Sequence, residues 1–197
     1  MNDPADEGAN KAPGAGPSPS ATVMNHVTPS VTVMNYVRKH GISARLIAPE
    51  TPMPTVPLAA AALGVGEEQI VKTIVFEGKK GRGEVALAIV TGDARVDRSR
   101  VAAVLNLPTL KLASPETVLR TTGFAVGGVP PVAHLSAVPV VVDSRVMDHA
   151  IVYGGGGDED HMLEIVPADI VRLTNAVVAD VTVAAVAAGD EAEPAPS

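Results

Sequence analysis

The stretch "IVKTIVFEGKKGRGEVALAIVT", residues 70–91, decides the fold class. Its apolar, β-branched runs at 70–76 and 85–91 read as strong strands, and the polar, glycine-rich "EGKKGRGE" between them reads as the turn that joins them. One residue breaks the pattern. Side chains alternate along a strand, so Lys72 shares a face with Ile70, Ile74 and Phe76, while Val71, Thr73 and Val75 occupy the other. Neither face offers a lysine water. Such a lysine either snorkels to a strand edge or is buried because it is paired or used.

Helical signals surround this pair of strands. "VTVMNYVRKHGI" (31–42) places Val33, Tyr36 and Val37 on one face, with Gly41 positioned to end a helix. "TVPLAAAALGV" (55–65) reads as a helix with Thr55 near its start and Gly64 after its end. "DRSRVAAVLN" (97–106) and "SPETVLRTTG" (114–123) follow; in the second, Ser114 caps, Pro115 takes the first turn and Gly123 stops it. Short strands are predicted in "ARLIAP", "VPVVVD", "AIVY", "MLEIV" and "AVVADVTV", with a short helix at "PADIVRLT". Strands with interspersed helices predict an α/β or α+β domain around a mixed sheet, drawn as a closed, barrel-like one.

Composition bounds the rest. The 197 residues suit one domain with tails, and the core must be aliphatic because only two Phe, two Tyr and no Trp are present. Residues 1–30, mostly rich in Pro, Gly, Ala and Ser, and the acidic 185–197 read as disordered tails around a domain at 31–184. "TVMNHV" at 22–27 recurs as "TVMNYV" at 32–37, too few copies for a stacked repeat. No apolar run approaches the roughly 18 residues that span a bilayer, the amino terminus is acidic, and a cytoplasmic protein without membrane contact is expected. With no Cys, disulfides, thiolate nucleophiles and cysteine metal sites are excluded. The net charge of −7 lies mainly in the tails, so local basic clusters at Lys79-Lys80-Arg82 and Arg95-Arg98-Arg100 permit a nucleic-acid contact without requiring one.

The second unusual stretch is "TTGFAVGGVPPVAH", residues 121–134. Glycine lets backbone approach a ligand closely, and proline stiffens the loop while lacking a donor of its own. Exposed N–H groups there could hold a carbonyl or a developing oxyanion; a tight crossover between helix and strand fits the composition equally well. The loop follows a helix and leads to a strand, the reverse of dinucleotide and P-loop glycine motifs. His134 is a candidate general acid or base, or a solvated loop histidine. "GGGGDEDH" (154–161) lacks the spacing of a calcium loop and reads as a flexible hairpin. No G-x-S-x-G, HExxH or CxxC occurs.

Taken in order, "AAAALGVGEEQIVKTIVF", "VTGDARVD", "TTGFAVGGVPPVAH", "VPVVVD" and "IVPADIVRLTNAVVADVT" resemble the YbaK/EbsC family, aminoacyl-tRNA deacylases related to the editing domain inserted in bacterial prolyl-tRNA synthetases. The resemblance spans about residues 31–183. It implies a compact domain with a barrel-like mixed sheet, and hydrolysis of the ester on a mischarged tRNA, tRNA-Pro carrying Cys or Ala, by a free-standing editor that uses no metal or organic cofactor. Partners would be the aminoacyl-tRNA and prolyl-tRNA synthetase. The family's lysine falls on Lys72 and its Gly-x-x-x-Pro loop on Gly127-Gly128-Val129-Pro130-Pro131. By the same resemblance Lys72, Gly127 and Gly128 are catalytic, and Thr73, Val129, Pro130, Pro131 and His134 line the substrate.

The chain departs from the family in places that bear on specificity. Thr73 after Lys72 is like the cysteine-editing branch, where alanine editors carry Asn. The tyrosine that cysteine editors often carry after the first strand is missing from "ARLIAPETP", and Met162 stands where an Asp is common. Rival readings are a non-catalytic tRNA- or protein-binding module that keeps the fold, and a hydrolase of another small ester or nucleotide.

Overall fold

A computed structural model describes residues 28–51, 53, 55–79 and 83–183. Its centre is the expected strand pair: β2 (Val71–Gly78) runs antiparallel to β3 (Val85–Thr91), in register from Val71 opposite Thr91 to Glu77 opposite Val85. Three further strands complete a mixed five-stranded sheet in the order β5-β2-β3-β6-β9. β5 (Leu110–Leu112) is antiparallel to β2, while β6 (Val140–Asp143) is parallel to β3 and β9 (Val177–Ala179) parallel to β6.

Both faces of the central strands are covered, which explains their continuous apolar runs. Val71, Val75, Leu87, Ile89, Val140 and Val142 point to one side. They meet Val33 and Val37 of α1 (Pro29–Lys39), Val118 of α4 (Pro115–Thr122) and Ile170 of α5 (Pro167–Thr174). On the other side Phe76, Ala86, Ala88, Val90 and Val141 pack with Val101 of α3 (Arg98–Val104) and Val181. The three small or β-branched β3 residues on that side leave room for α3 to approach. At the end of β6 the fully buried Asp143 carboxylate accepts from the Val181 N–H (2.9 Å) and the Arg145 N–H (3.1 Å). It thereby ties the sheet to β10 (Thr182–Val183), which pairs with β4 (Arg95–Val96).

A second, antiparallel sheet has the order β1-β8-β7: Arg45–Ile47, Met162–Ile165 and Val152–Gly155. Among the described residues the two sheets are joined by a single parallel bridge, Ile70 to Tyr153. The expected barrel is therefore not closed. Beyond Tyr153, β7 presses Gly154 and Gly155 against the backbone and prolines at 128–131 instead of extending a ladder along β2. The fold is α+β, a mixed sheet flanked by helices.

Most of the predicted helix ends hold. Ser114 Oγ accepts from the Thr117 N–H (3.2 Å), and Gly123 (φ 83°) and Gly64 (φ 67°) end their helices in the left-handed region. α2 (Val56–Leu63) begins after Thr55, whose side chain makes no capping bond. α1 opens at Pro29, slightly before the domain boundary expected at 31. The first "TVMNHV" copy and the two predicted tails, apart from Thr28 to Ser30, lie outside the described residues. The hairpin "GGGGDEDH" differs from expectation. Gly154 and Gly155 are strand residues of β7, and Gly154, Gly156 and Gly157 are buried.

Candidate functional site

Lys72 follows the second of the two courses open to it in the sequence, withdrawn from water and held by partners. It is half-buried, and its Nζ donates to the carbonyl oxygens of Gly92 (2.8 Å) and Ala94 (2.9 Å) in the turn after β3. Gly92 makes this geometry possible. A Cβ there would overlap Val56 Cγ1 and the Glu67 carbonyl, so only glycine lets the turn tuck beneath α2. The Gly92 N–H donates to the Ile70 carbonyl (2.6 Å) and locks the turn onto the root of β2. Burial pushes the Lys72 ammonium below its usual pKa, and the Asp93 carboxylate opposes that shift.

Lys72 stands on the wall of a cavity of about 380 Å³, a size suited to a small ligand. Thr73, Gly127 and Val129 line it too, so strand β2 and the glycine–proline loop form facing walls. Val56, Ile70, Leu112, Val126 and Met162 supply apolar surface. Among the described residues lining it, Lys72 is the single ionisable group. The Thr73 Oγ1 is buried and has no hydrogen-bond partner among the described residues.

Not all of the loop faces the cavity. Gly127 adopts φ 100° and presents its backbone there, and its N–H has no backbone acceptor among the described residues. Gly128 is turned into the protein. Its N–H donates to the Ala125 carbonyl (3.2 Å), its carbonyl accepts from the Gly157 N–H (2.9 Å), and a Cβ on it would lie 2.7 Å from Asp158 Cα. Pro130 and Pro131 are buried behind the cavity wall. Pro131 Cδ lies 2.8 Å from where a Gly154 Cβ would be, and Val129 O is 2.7 Å from the corresponding point on Gly155.

The loop thus rests on the glycine run at 154–157, backbone against backbone. Composition had flagged both segments, but nothing in either one names the other as its seat. The tip of the run is held by Asp158, which accepts from His161 Nδ1–H (2.6 Å) and the Asp160 N–H (3.1 Å). Burial pushes the Asp158 carboxyl up, but hydrogen bonds from His161, Ser30 and Asp160 outweigh it and hold its pKa below the ordinary value.

His134 lies outside this cavity. It lines a second one of about 590 Å³ with Tyr36, Leu135, Ser136 and Asn175. Of the two basic clusters, Lys80 and Arg82 lie outside the described residues. Arg95 and Arg98 are exposed, and Arg100 is engaged with Asp180 (2.9 Å) and the Thr182 carbonyl (2.9 Å). No helix among the described residues is long and apolar enough to cross a membrane.

The aminoacyl-tRNA editing domain family matches residues 50–173, which hold Lys72, the loop and the glycine run. The chain belongs to that family. It is homologous to the editing domains of prolyl-tRNA synthetases. Over 98 residues it is 37% identical to the proline–tRNA ligase of Kosmotoga olearia, covering 49% of this chain and 16% of that enzyme's length. The Bacillus subtilis protein YwhH is 28% identical over 121 residues, 61% of this chain and 75% of its own. Among solved structures, that of APE2540 superposes with a TM-score of 0.71 at 38% identity, covering 77% of this chain and 99% of the other. A candidate trans-editing enzyme for prolyl tRNA synthetase gives 0.71 at 32% identity, with 79% and 97% covered. The residues matched by the family include both walls of the cavity.

Proposed function

We propose that this protein is a trans-editing aminoacyl-tRNA deacylase, hydrolysing the ester of tRNA-Pro that carries Cys or Ala. The observation that carries the reading is the cavity itself. One wall offers a lysine fixed by two carbonyls, the other offers loop backbone, and between them lies mostly apolar surface. An aminoacyl ester is already activated, so its hydrolysis depends on placing water and on stabilising charge as the carbonyl becomes tetrahedral. Water adds across the ester: its hydroxyl joins the acyl carbon, the bond from that carbon to the ribose oxygen breaks, and the ribose oxygen takes the hydrogen.

In this reading the Gly127 N–H, and not that of the internally bonded Gly128, faces the acyl oxygen. Lys72 has three donors and two are committed, so one remains for a ribose or phosphate oxygen of the terminal nucleotide. Thr73 Oγ1 and the apolar lining contact the amino-acid side chain, and a cavity of this size favours a small one. Partners are then the mischarged tRNA and, for delivery, prolyl-tRNA synthetase.

The test is a deacylation panel of Cys-, Ala-, Ser- and Pro-charged tRNA-Pro with wild type and Lys72→Ala. Hydrolysis of Cys- or Ala-tRNA that is lost in the variant supports the reading. No hydrolysis of any charged tRNA overturns it, and full activity in Lys72→Ala removes the lysine from the site.

A further inference from the structure

His134 was expected against the substrate, yet it faces away from the cavity that Lys72 and the loop enclose. Its Nε2 lies 2.8 Å from the Pro130 carbonyl oxygen, four residues back. A carbonyl oxygen can only accept, so the ring carries its proton on Nε2. Burial lowers the His134 pKa against the opposing effect of that hydrogen bond, and so favours the neutral ring. Closing the turn requires Ala133 to sit at φ 68°, a left-handed conformation that is strained for a residue with a Cβ. Strain of this kind persists where the surroundings over-determine the backbone. Here the Leu135 and Ser136 N–H groups donate to Thr122 O (3.0 Å) and Thr121 O (2.9 Å), anchoring the chain just after His134 to the end of α4.

We infer that His134 is a positioning residue: through its bond to the Pro130 carbonyl it latches the rear of the glycine–proline loop, so that Gly127 and Val129 on the front face the cavity. The loop is then gripped from two sides. The glycine run supports it at Gly128, Val129 and Pro131, and His134 holds the one carbonyl between them. Pro130 cannot rotate freely about φ, so fixing its carbonyl also sets the direction in which the preceding residues run. The role rests on the deacylase reading for its effect on rate, but the latch itself does not.

The discriminating variants are His134→Phe, which keeps a ring of similar size without a donor, and His134→Gln, whose side-chain amide N–H reaches about as far as Nε2–H. Each is compared with wild type for kcat and KM on mischarged tRNA and for hydrogen exchange of the amides at 126–129. His134→Phe should lower kcat by on the order of 10- to 100-fold, the effect of a misplacement near 1 Å, with KM little changed. Exchange at 126–129 should rise with it, while thermal unfolding confirms a folded domain. His134→Gln should restore most of the rate and the protection. Wild-type rate and protection in His134→Phe overturn the latch, as does a His134→Gln variant as impaired in both as His134→Phe. If wild type hydrolyses no mischarged tRNA, the deacylase reading falls, and the exchange comparison still decides the latch.

Discussion

The two walls of the cavity are held by opposite means. Lys72 is placed by a regular ladder of seven residue pairs between β2 and β3 and by one glycine that lets a turn fold beneath it. The facing loop has no ladder. It is placed against a second irregular segment, so closely that a Cβ added at Gly128 or Gly155 would meet backbone atoms at 2.7–2.9 Å. A ladder spreads its tolerance over many hydrogen bonds, so one altered side chain leaves its geometry intact. A backbone-on-backbone seat has no flexible atoms to yield, so a single methyl group is enough to unseat it.

That contrast is sharpest in the largest effect we expect. Gly128→Ala puts a Cβ within 2.7–2.9 Å of the Asp158 backbone, which cannot move aside as a side chain would. Overpacking of this kind costs about 1–3 kcal/mol, read as a lower denaturation midpoint, and deacylation should be lost with it. A Gly128→Ala protein with normal stability and rate would show that the seat is not rigid.

Lys72→Met should act the other way, on rate more than on fold. The strand stays paired, but the Gly92 and Ala94 carbonyls lose a charged donor. One charged hydrogen bond corresponds to about 1.5–3 kcal/mol, or on the order of 10- to 100-fold in kcat/KM. Unfolding curves that shift as far as those of Gly128→Ala would erase the distinction between the two walls.

Acid should loosen the loop wall through Asp158. Asp158 is held below its ordinary pKa of 3.8, so its contribution to stability is complete above that value and is lost as pH falls through the lower, folded one. Asp158→Asn should therefore lower Tm at pH 7, where that contribution is complete, and flatten its fall below about pH 4, so that the two proteins converge in acid. An unchanged acid limb in the variant would take Asp158 out of the account.

The smallest effect concerns stored strain. Ala133→Gly relieves the left-handed conformation at φ 68° but adds unfolded-state entropy of about 0.4–1 kcal/mol, so a Tm rise of a few degrees at most is expected. A clear fall would mean that the alanine methyl packs too well to lose.

The same contrast explains what could be read from the sequence. Alternation and β-branching reveal β2 and β3, and the end signals at Ser114, Gly123 and Gly64 are local chemistry, so the covered sheet and its helices were legible. β5 was missed because three residues, Leu110–Leu112, carry too little pattern and Leu112 is exposed. The barrel was over-read, since closure depends on whether β7 finds β2, and β7 meets the loop instead. Both halves of the seat were visible as glycine runs, but their pairing is a tertiary fact. His134 was picked out for its chemistry, and only the direction of its ring separates a latch from a contact with substrate.

The ammonium of Lys72 carries one further consequence. With two protons spoken for, it is a directional tool with a single free N–H, aimed by the turn that grips it. Acylation of that amine would remove the charge and leave at most one N–H for two carbonyls, loosening the turn as well as blanking the site. An electrophile that reached Lys72 would therefore act on the turn and on the cavity wall at once.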